Sequence, residues 1–287
     1  MTTNIQPIRY DITGSIVLYG NPKTLVEAAI VSFLKCTLRR KLYLIDNSPT
    51  DALSSLASLS SDIEYIRNGE NVGFGKAHNV ALARALTESI YHLVLNPDVY
   101  FGENVLESLF SYMQRNPDVG NVMPKILYPD GTVQLLCKLL PSPMHLVARR
   151  FFPWLPGAKA HDNEYMMVET GYDKEMNVPC LSGCFMFLRT DAVRTVGMFD
   201  KRIFLYLEDV DLSRRMHERF KTMFYPGVTA YHHFAKGSYK SIKLMFYNIH
   251  GAFIYFSKFG WIFDRGRRKM NQTAIEAYFP RGKHYGR

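Results

Sequence analysis

"SIVLYGNPKTLVEAAIVSFLKCTLRRKLYLIDNS", residues 15–48, holds an apolar run ending in glycine, a segment with helical spacing, and a second apolar run ending on polar residues. Short apolar runs closed by turn residues read as buried strands, so the stretch is strand, helix, strand. The pattern then repeats. "DIEYIRN" (62–68) reads as a strand, "GFGKAHNVALARALTES" (73–89) as a helix and "YHLVLNPD" (91–98) as a strand. Strands alternating with helices imply an α/β fold, with a mostly parallel sheet and right-handed crossovers. Ligands of such sheets bind beyond the carboxyl ends of the strands, where Tyr19, Asp46, Asn47, Ser48, Asn71 and Asp98 fall.

Composition narrows the possibilities. With 287 residues and 47% hydrophobic content the chain can bury one large core or two smaller ones. Four cysteines, Cys36, Cys137, Cys180 and Cys184, are too few and too scattered for a disulfide framework, and the last two lack the second pair of a structural zinc site. Buried thiols in a reducing compartment are expected. The first residues lack the charged and apolar regions of a signal peptide, and no stretch is apolar for long enough to span a membrane, so the cytoplasm is the expected compartment.

The net charge of +9 is uneven. Asp264 to Arg287 carry seven Lys or Arg against two acids, leaving +5 in the final 24 residues. Such a tail suits an anionic partner. No nucleic-acid module is recognisable, which favours an anionic membrane surface over nucleic acid. The preceding "IKLMFYNIHGAFIYFSKFGWIF" (242–263), aromatic and punctuated by Lys243, His250 and Lys258, suits a headgroup region; it equally suits a core helix. Residues 139–173, with four prolines and an Arg-Arg-Phe-Phe-Pro-Trp cluster, show no clear periodicity. They are expected to cover one side of the site, as a binding segment or as a mobile loop with an aromatic anchor.

Three local patterns carry chemistry. In "LVLNPDVYFG" (93–102) a core strand ends on Asn96-Pro97-Asp98, and a carboxylate held there by the stiff proline can bind a divalent ion beside a phosphate. The same residues make an ordinary turn. In "NVGFGKAHN" (71–79) glycines 73 and 75 open a helix and allow close backbone approach to a ligand. In "FLYLEDVDLSRR" (204–215) Glu208, Asp209 and Asp211 end an apolar run and begin a helix. Acids favour helix N-termini, yet a general base aimed at a substrate hydroxyl would also sit there.

The ordered set "DNS", "NVGFGKAHN", "LNPDV", "SGCFMFLRTDA", "GMFDKRIFLYLEDVDLSRR" and "YHHFAKGS" resembles bacterial family 2 glycosyltransferases with a GT-A fold, from residue 15 to about 240. It is most similar to the rhamnosyltransferase-like branch that builds O-antigen and other cell-surface polysaccharides. The resemblance implies a Rossmann-like central sheet flanked by helices, with a nucleotide-sugar half over about 1–125, an acceptor half over about 126–240, and a C-terminal helical extension over 241–287. It also implies an inverting transferase that uses Mg²⁺ or Mn²⁺ and a nucleotide-sugar donor, dTDP-rhamnose first, with a UDP-hexose or UDP-N-acetylhexosamine as the alternative. The acceptor would be lipid-diphosphate-linked or an oligosaccharide, and the enzyme peripheral at the inner face of the cell membrane. Asp209 would be the general base, with Glu208 as the alternative. Asp98 would hold the metal, with His232 nearby; whether His232 or His233 points inward stays open. Tyr19, Asp46, Asn47, Asn71, Gly73, Asn79, Asn96, Gly183 and Arg214 would contact substrates. The family's Asp-x-Asp appears here as Asn96-Pro97-Asp98, so the ion would lean on the donor's diphosphate. A sugar nucleotidyltransferase is the rival class, and "SIVLYGNPKT" is too poor in glycine and arginine to cradle a triphosphate.

Overall fold

The computed structural model describes residues 8–152, 154, 156–233 and 241–279. The expected alternation opens the chain: β1 (Tyr10–Leu18), α1 (Lys23–Leu34), β2 (Arg40–Asp46), β3 (Ile63–Arg67), α2 (Phe74–Glu88) and β4 (Ser89–Leu95). There follow β5 (Val99–Phe101), α3 (Val105–Arg115), β6 (Val119–Leu127), β7 (Cys137–Lys138), α4 (Pro143–Phe151) and α5 (Ala158–Tyr165). Then come β8 (Met176–Asn177), β9 (Cys180–Leu181), β10 (Phe185–Arg189), α6 (Thr190–Val196), α7 (Glu208–His217) and β11 (Lys221–His232). Helices α8 (Ile242–Phe259) and α9 (Arg265–Tyr278) close the chain.

The described residues form a nine-stranded sheet of order β3-β2-β1-β4-β10-β6-β11-β5, with β8 beside β11. Strands β1 to β4 pair in parallel, but β10 runs antiparallel between β4 and β6, placing Phe185 opposite Leu95. This reversal positions the site. The N-terminal end of β10 now lies beside the carboxyl end of β4, so residues preceding β10 meet residues following β4.

Alternation along β4 explains its unbroken apolar run. Leu93 and Leu95 enter one core with Phe33, Phe185 and Phe187, while Val94 enters the opposite one with Leu82, Met186, Leu188 and Leu212. A strand covered on both faces has no polar side to present. The four cysteines are buried and unbridged.

Two segments differ from expectation. Residues 139–173 hold two helices, because Ser142 caps α4 by accepting from His145 N at 3.0 Å and Pro143 occupies its first turn. Trp154 and Phe152 are exposed, so they do not anchor the segment in the core. The C-terminal segment packs on the rest of the chain: Tyr255 and Phe256 of α8 join Leu207 and Val210 in one cluster, and Ala274 of α9 enters the main core. Lys258, expected among headgroups, instead donates to Asp211 at 2.6 Å.

Candidate active site

The carboxyl ends of β4 and β11 and the N-terminal ends of β10 and α7 converge. Asn96 N donates to Cys184 O at 2.9 Å, and one residue earlier Gly183 N donates to Asp209 Oδ2 at 2.9 Å. A Cβ on Gly183 would stand 3.0 Å from Asp209 Cβ, so a side chain there would press on the start of α7. Val210 N donates to Asp209 Oδ1 at 2.8 Å. Both oxygens of Asp209 are thereby oriented, each with a lone pair to spare.

Glu208 behaves differently. It is buried, Oε2 has no hydrogen-bond partner, and its pKa is pushed well above the usual carboxylate range, first by burial and then by the neighbouring Asp209 charge. The backbone before it is strained: Tyr206 and Leu207 have φ of 70° and 66°, a left-handed pair without glycine. Gly251 of α8 backs this turn, where a Cβ would run into the Tyr206 carbonyl oxygen.

Asp98 lies opposite β11. Its Oδ1 is 3.4 Å from His232 Nε2, and its carbonyl accepts from His233 N at 3.0 Å. His232 is the buried member of the histidine pair and His233 is exposed. Gln134 grips His232 twice, with Oε1 2.9 Å from Nδ1 and Nε2 donating to the His232 carbonyl at 2.7 Å, which turns Nε2 toward Asp98. Burial alone would lower the imidazole pKa; Cys184 and the Asp98 carboxylate outweigh it and raise the value to about 10. Gln134 and Cys184 had no recognisable signal in the sequence, since each lies far along the chain from His232. The "YHHFAKGS" motif continues past His233, outside the described residues.

The donor set can be tested against a divalent ion. An oxygen and a nitrogen ligand face one another, and among the described residues no group of three or more His, Cys, Asp or Glu could hold a metal. With its pKa raised His232 carries a proton at neutral pH, so Asp98 is the ready ligand and His232 Nε2 joins it on giving up that proton; such a pair suits a hard cation that draws its remaining oxygens from a bound diphosphate.

The other predicted residues divide. Tyr19 is exposed beyond β1, and Asn96 is partly exposed beyond β4. Asp46 is fully buried, with Oδ1 accepting from Ser48 N at 2.7 Å and Oδ2 from Tyr65 OH at 2.6 Å. Asn71 Oδ1 accepts from Gly73 N at 3.0 Å, while Asn47 Nδ2 donates to Gly73 O at 3.2 Å. The glycines make room for the chain itself: a Cβ at Gly73 would strike Phe204 O, and one at Gly75 would sit 2.8 Å from Phe199 Cβ. Asn79 holds the Phe199 backbone through both its amide oxygen and nitrogen. Arg214 is not brought to the site. It forms a buried bidentate pair with Asp264, at 2.6 and 2.7 Å. Arg215 likewise holds Asp211 and the carbonyls of Val196, Gly197 and Met198.

A mostly parallel central sheet flanked by helices, with acids gathered at its strand ends, is the architecture of the GT-A glycosyltransferases. Residues 16–197 match the family described as Glycosyl transferase family 2, to which the chain belongs; it is a glycosyltransferase. It is 29% identical over 240 residues to the N-acetylglucosaminyl-diphospho-decaprenol L-rhamnosyltransferase of Mycobacterium tuberculosis, covering 78% of this chain and 76% of that protein. It is 25% identical over 186 residues to rhamnosyltransferase WbbL of Escherichia coli, covering 61% of this chain and 66% of that one. Among solved structures, the mannosyltransferase PcManGT of Pyrobaculum calidifontis, in complex with GDP-Man and Mn²⁺, superposes with a TM-score of 0.54 at 15% identity, over 98% of this chain and 79% of that one. GalNAc-T7 with UDP, GalNAc and Mn²⁺ gives 0.58 at 14% identity, over 78% of this chain and 43% of that one. These two likenesses concern the fold.

Proposed function

We propose that the chain is an inverting rhamnosyltransferase that moves L-rhamnose from dTDP-rhamnose to a lipid-diphosphate-linked acceptor in cell-surface polysaccharide synthesis. The two rhamnosyltransferase relatives support the sugar, and the mycobacterial one supports an acceptor built on a lipid diphosphate. The observation that carries the chemistry is the Asp209 carboxylate, aimed by two backbone N–H groups and tied through Gly183 and Cys184 to Asn96, two residues from Asp98.

In this reading the acceptor hydroxyl attacks the anomeric carbon from the Asp209 side. Asp209 takes the hydroxyl proton as the new C–O bond forms, and the bond to the donor's phosphate oxygen breaks with its electron pair leaving on the nucleoside diphosphate. Asp98 and His232 would hold a divalent ion, Mg²⁺ or Mn²⁺, whose chemistry is neutralisation of charge on the departing diphosphate. Gln134 orients His232. Asp46 shapes the nucleotide side through Ser48 and Tyr65, leaving Tyr19 and Asn96 as the more accessible groups there.

Peripheral attachment at the inner face of the cell membrane belongs to the same reading. Ile242, Phe246, Ile249 and Phe253 form an exposed stripe along α8 at helical spacing, continued by exposed Trp261, Ile262 and Phe263. Among the described residues no helix is long and apolar enough to cross a membrane.

The test is turnover of dTDP-rhamnose with a polyprenyl-diphosphate-linked N-acetylglucosamine acceptor, for wild type and Asp209→Asn. The variant should keep donor affinity while its rate falls about 10²- to 10⁴-fold, the usual cost of losing a general base. Equal losses in binding and rate would make Asp209 a binding residue. Turnover with UDP-sugars alone would reassign the donor.

A further inference from the structure

Behind α7, on the side of α4 and α5, lies a cleft of about 830 Å³ that the proposed chemistry does not use. It lies between α4, α5 and α9, which lines it from Arg267 to Glu276, and Leu139, Leu140 and Tyr165 line it too. Leu140 also packs with Leu207 and Val210, the residues flanking Glu208 and Asp209, so the cleft shares a wall with the start of the catalytic helix.

Two buried side-chain nitrogens in this cleft have no hydrogen-bond partner. Arg267 is only 8% exposed and its Nη1 makes no hydrogen bond, because the nearby Asp264 is already engaged in both directions by Arg214. His145 is 5% exposed and its Nε2 also makes none; the closest acid, Asp162 Oδ1, is 3.8 Å away and 3.1 Å from Arg149 Nε. Buried donors are nearly always satisfied, and one left open in a roomy cleft marks a place for an acceptor from outside the chain. Exposed Arg268 adds a second cationic group, His145 being neutral because burial, His161 and Arg149 lower its pKa to about 3, while Glu164 and Glu276 also line the cleft and Glu276 is engaged by Gln272. Apolar groups border these donors in sequence: exposed Met144 precedes His145, and exposed Ile262 and Phe263 lead into α9.

We propose that this cleft is the subsite for the diphosphate of the lipid-linked acceptor, with Arg267 Nη1 and His145 Nε2 donating to its oxygens and Arg268 at its edge. The inference rests on the acceptor reading above and deepens it. A guanidinium fork matches phosphate oxygens, and an amphiphile would have apolar surface close by for its chain. The leaving diphosphate of the donor and the diphosphate of the acceptor would thus be held in separate places.

The test compares two acceptors carrying the same sugar, one on a short isoprenyl diphosphate and one on a phosphate-free alkyl chain, for wild type, Arg267→Gln and Arg268→Gln. Losing a charge-assisted bond should raise KM for the diphosphate acceptor about 10- to 100-fold in Arg267→Gln, less in Arg268→Gln, with KM for the alkyl glycoside and for the donor unmoved. Should Arg267→Gln fail to fold, exposed Arg268→Gln and inhibition of the wild type decide. Farnesyl diphosphate, at matched free Mn²⁺, should compete with the diphosphate acceptor. Inorganic pyrophosphate inhibiting equally well would overturn the lipid assignment. Wild-type preference for the diphosphate acceptor that survives in both variants would overturn the subsite while leaving the transfer reading intact. Wild type that consumes donor with neither acceptor would overturn both.

Discussion

Glu208 and Asp209 are adjacent acids at the start of one helix, and their surroundings drive them apart. Asp209 is partly exposed and accepts two backbone N–H bonds; Glu208 is buried with an unpartnered oxygen, and burial followed by the Asp209 charge favours its neutral form. A protonated Glu208 cannot act as a base, which supports the proposal that Asp209 does. The arrangement has a pH signature. A carboxyl whose folded pKa is raised contributes stability that is fully present below its unfolded pKa, about 4.3, and is lost as pH rises through the folded value. Glu208→Gln has no such proton to lose. Its melting temperature should therefore gain on wild type as the pH rises from about 4.3 into the alkaline range. A constant difference in melting temperature at every pH would show that Glu208 does not titrate as described.

At the scale of elements, α7 is clamped at both ends. Its first residue follows the left-handed pair Tyr206–Leu207, which α8 supports through Gly251, and further along Arg214 reaches Asp264 at the head of α9. Removing one member of a buried ion pair strands the other, at a cost of about 3–5 kcal/mol. Asp264→Ala, which also removes the cap of α9, should lower the melting temperature sharply while leaving nucleotide affinity of the folded fraction unchanged. A large selective loss of nucleotide affinity at normal stability would instead place Arg214 at the substrate. That pair marks where reading the sequence fell short. Arg214 stands one turn beyond the acids and looks like a phosphate ligand, whereas its partner lies 50 residues away and only the fold brings them together. Strands β1 to β4 were legible because local apolar runs separated by helical periods define them. The antiparallel insertion of β10 depends on pairing between distant segments, and α4 was masked by prolines although its Ser-Pro start is a helix signal. Asp98, Asp209 and Gly183 were legible through the family motifs, but Gln134, Cys184 and the cleft at Arg267 needed the fold to bring distant segments together.

For the whole molecule, the C-terminal helices present two apolar faces where a surface helix needs one. On α8, Gly251, Tyr255 and Phe256 face the protein, while Ile242, Phe246, Ile249 and Phe253 face outward. Phe263, at 85% exposure, extends that surface, and exposed Arg265, Arg268 and Lys269 follow it. Exposed apolar surface of this extent beside basic residues suits the boundary of an anionic bilayer. Deleting the whole tail from residue 265 would be a poor test, since Asn271 bonds the Leu140 backbone and Tyr278 OH accepts from Asn177 N at 2.7 Å. Point changes on the outer stripe avoid that damage. Phe246→Ser with Phe253→Ser should leave the melting temperature near wild type, yet remove roughly 1 kcal/mol or more of interfacial burial per ring and so weaken vesicle binding at least tenfold. Ending the chain after Phe279 removes Arg281, Lys283 and Arg287, which lie outside the described residues; at about 1 kcal/mol per cation near an anionic leaflet, this should reduce binding and its salt dependence together. Flotation with vesicles containing anionic lipid, at low and high salt, measures both effects. If the wild type and both altered proteins float equally, the outer stripe is not a membrane contact and the exposed rings belong to some other interface.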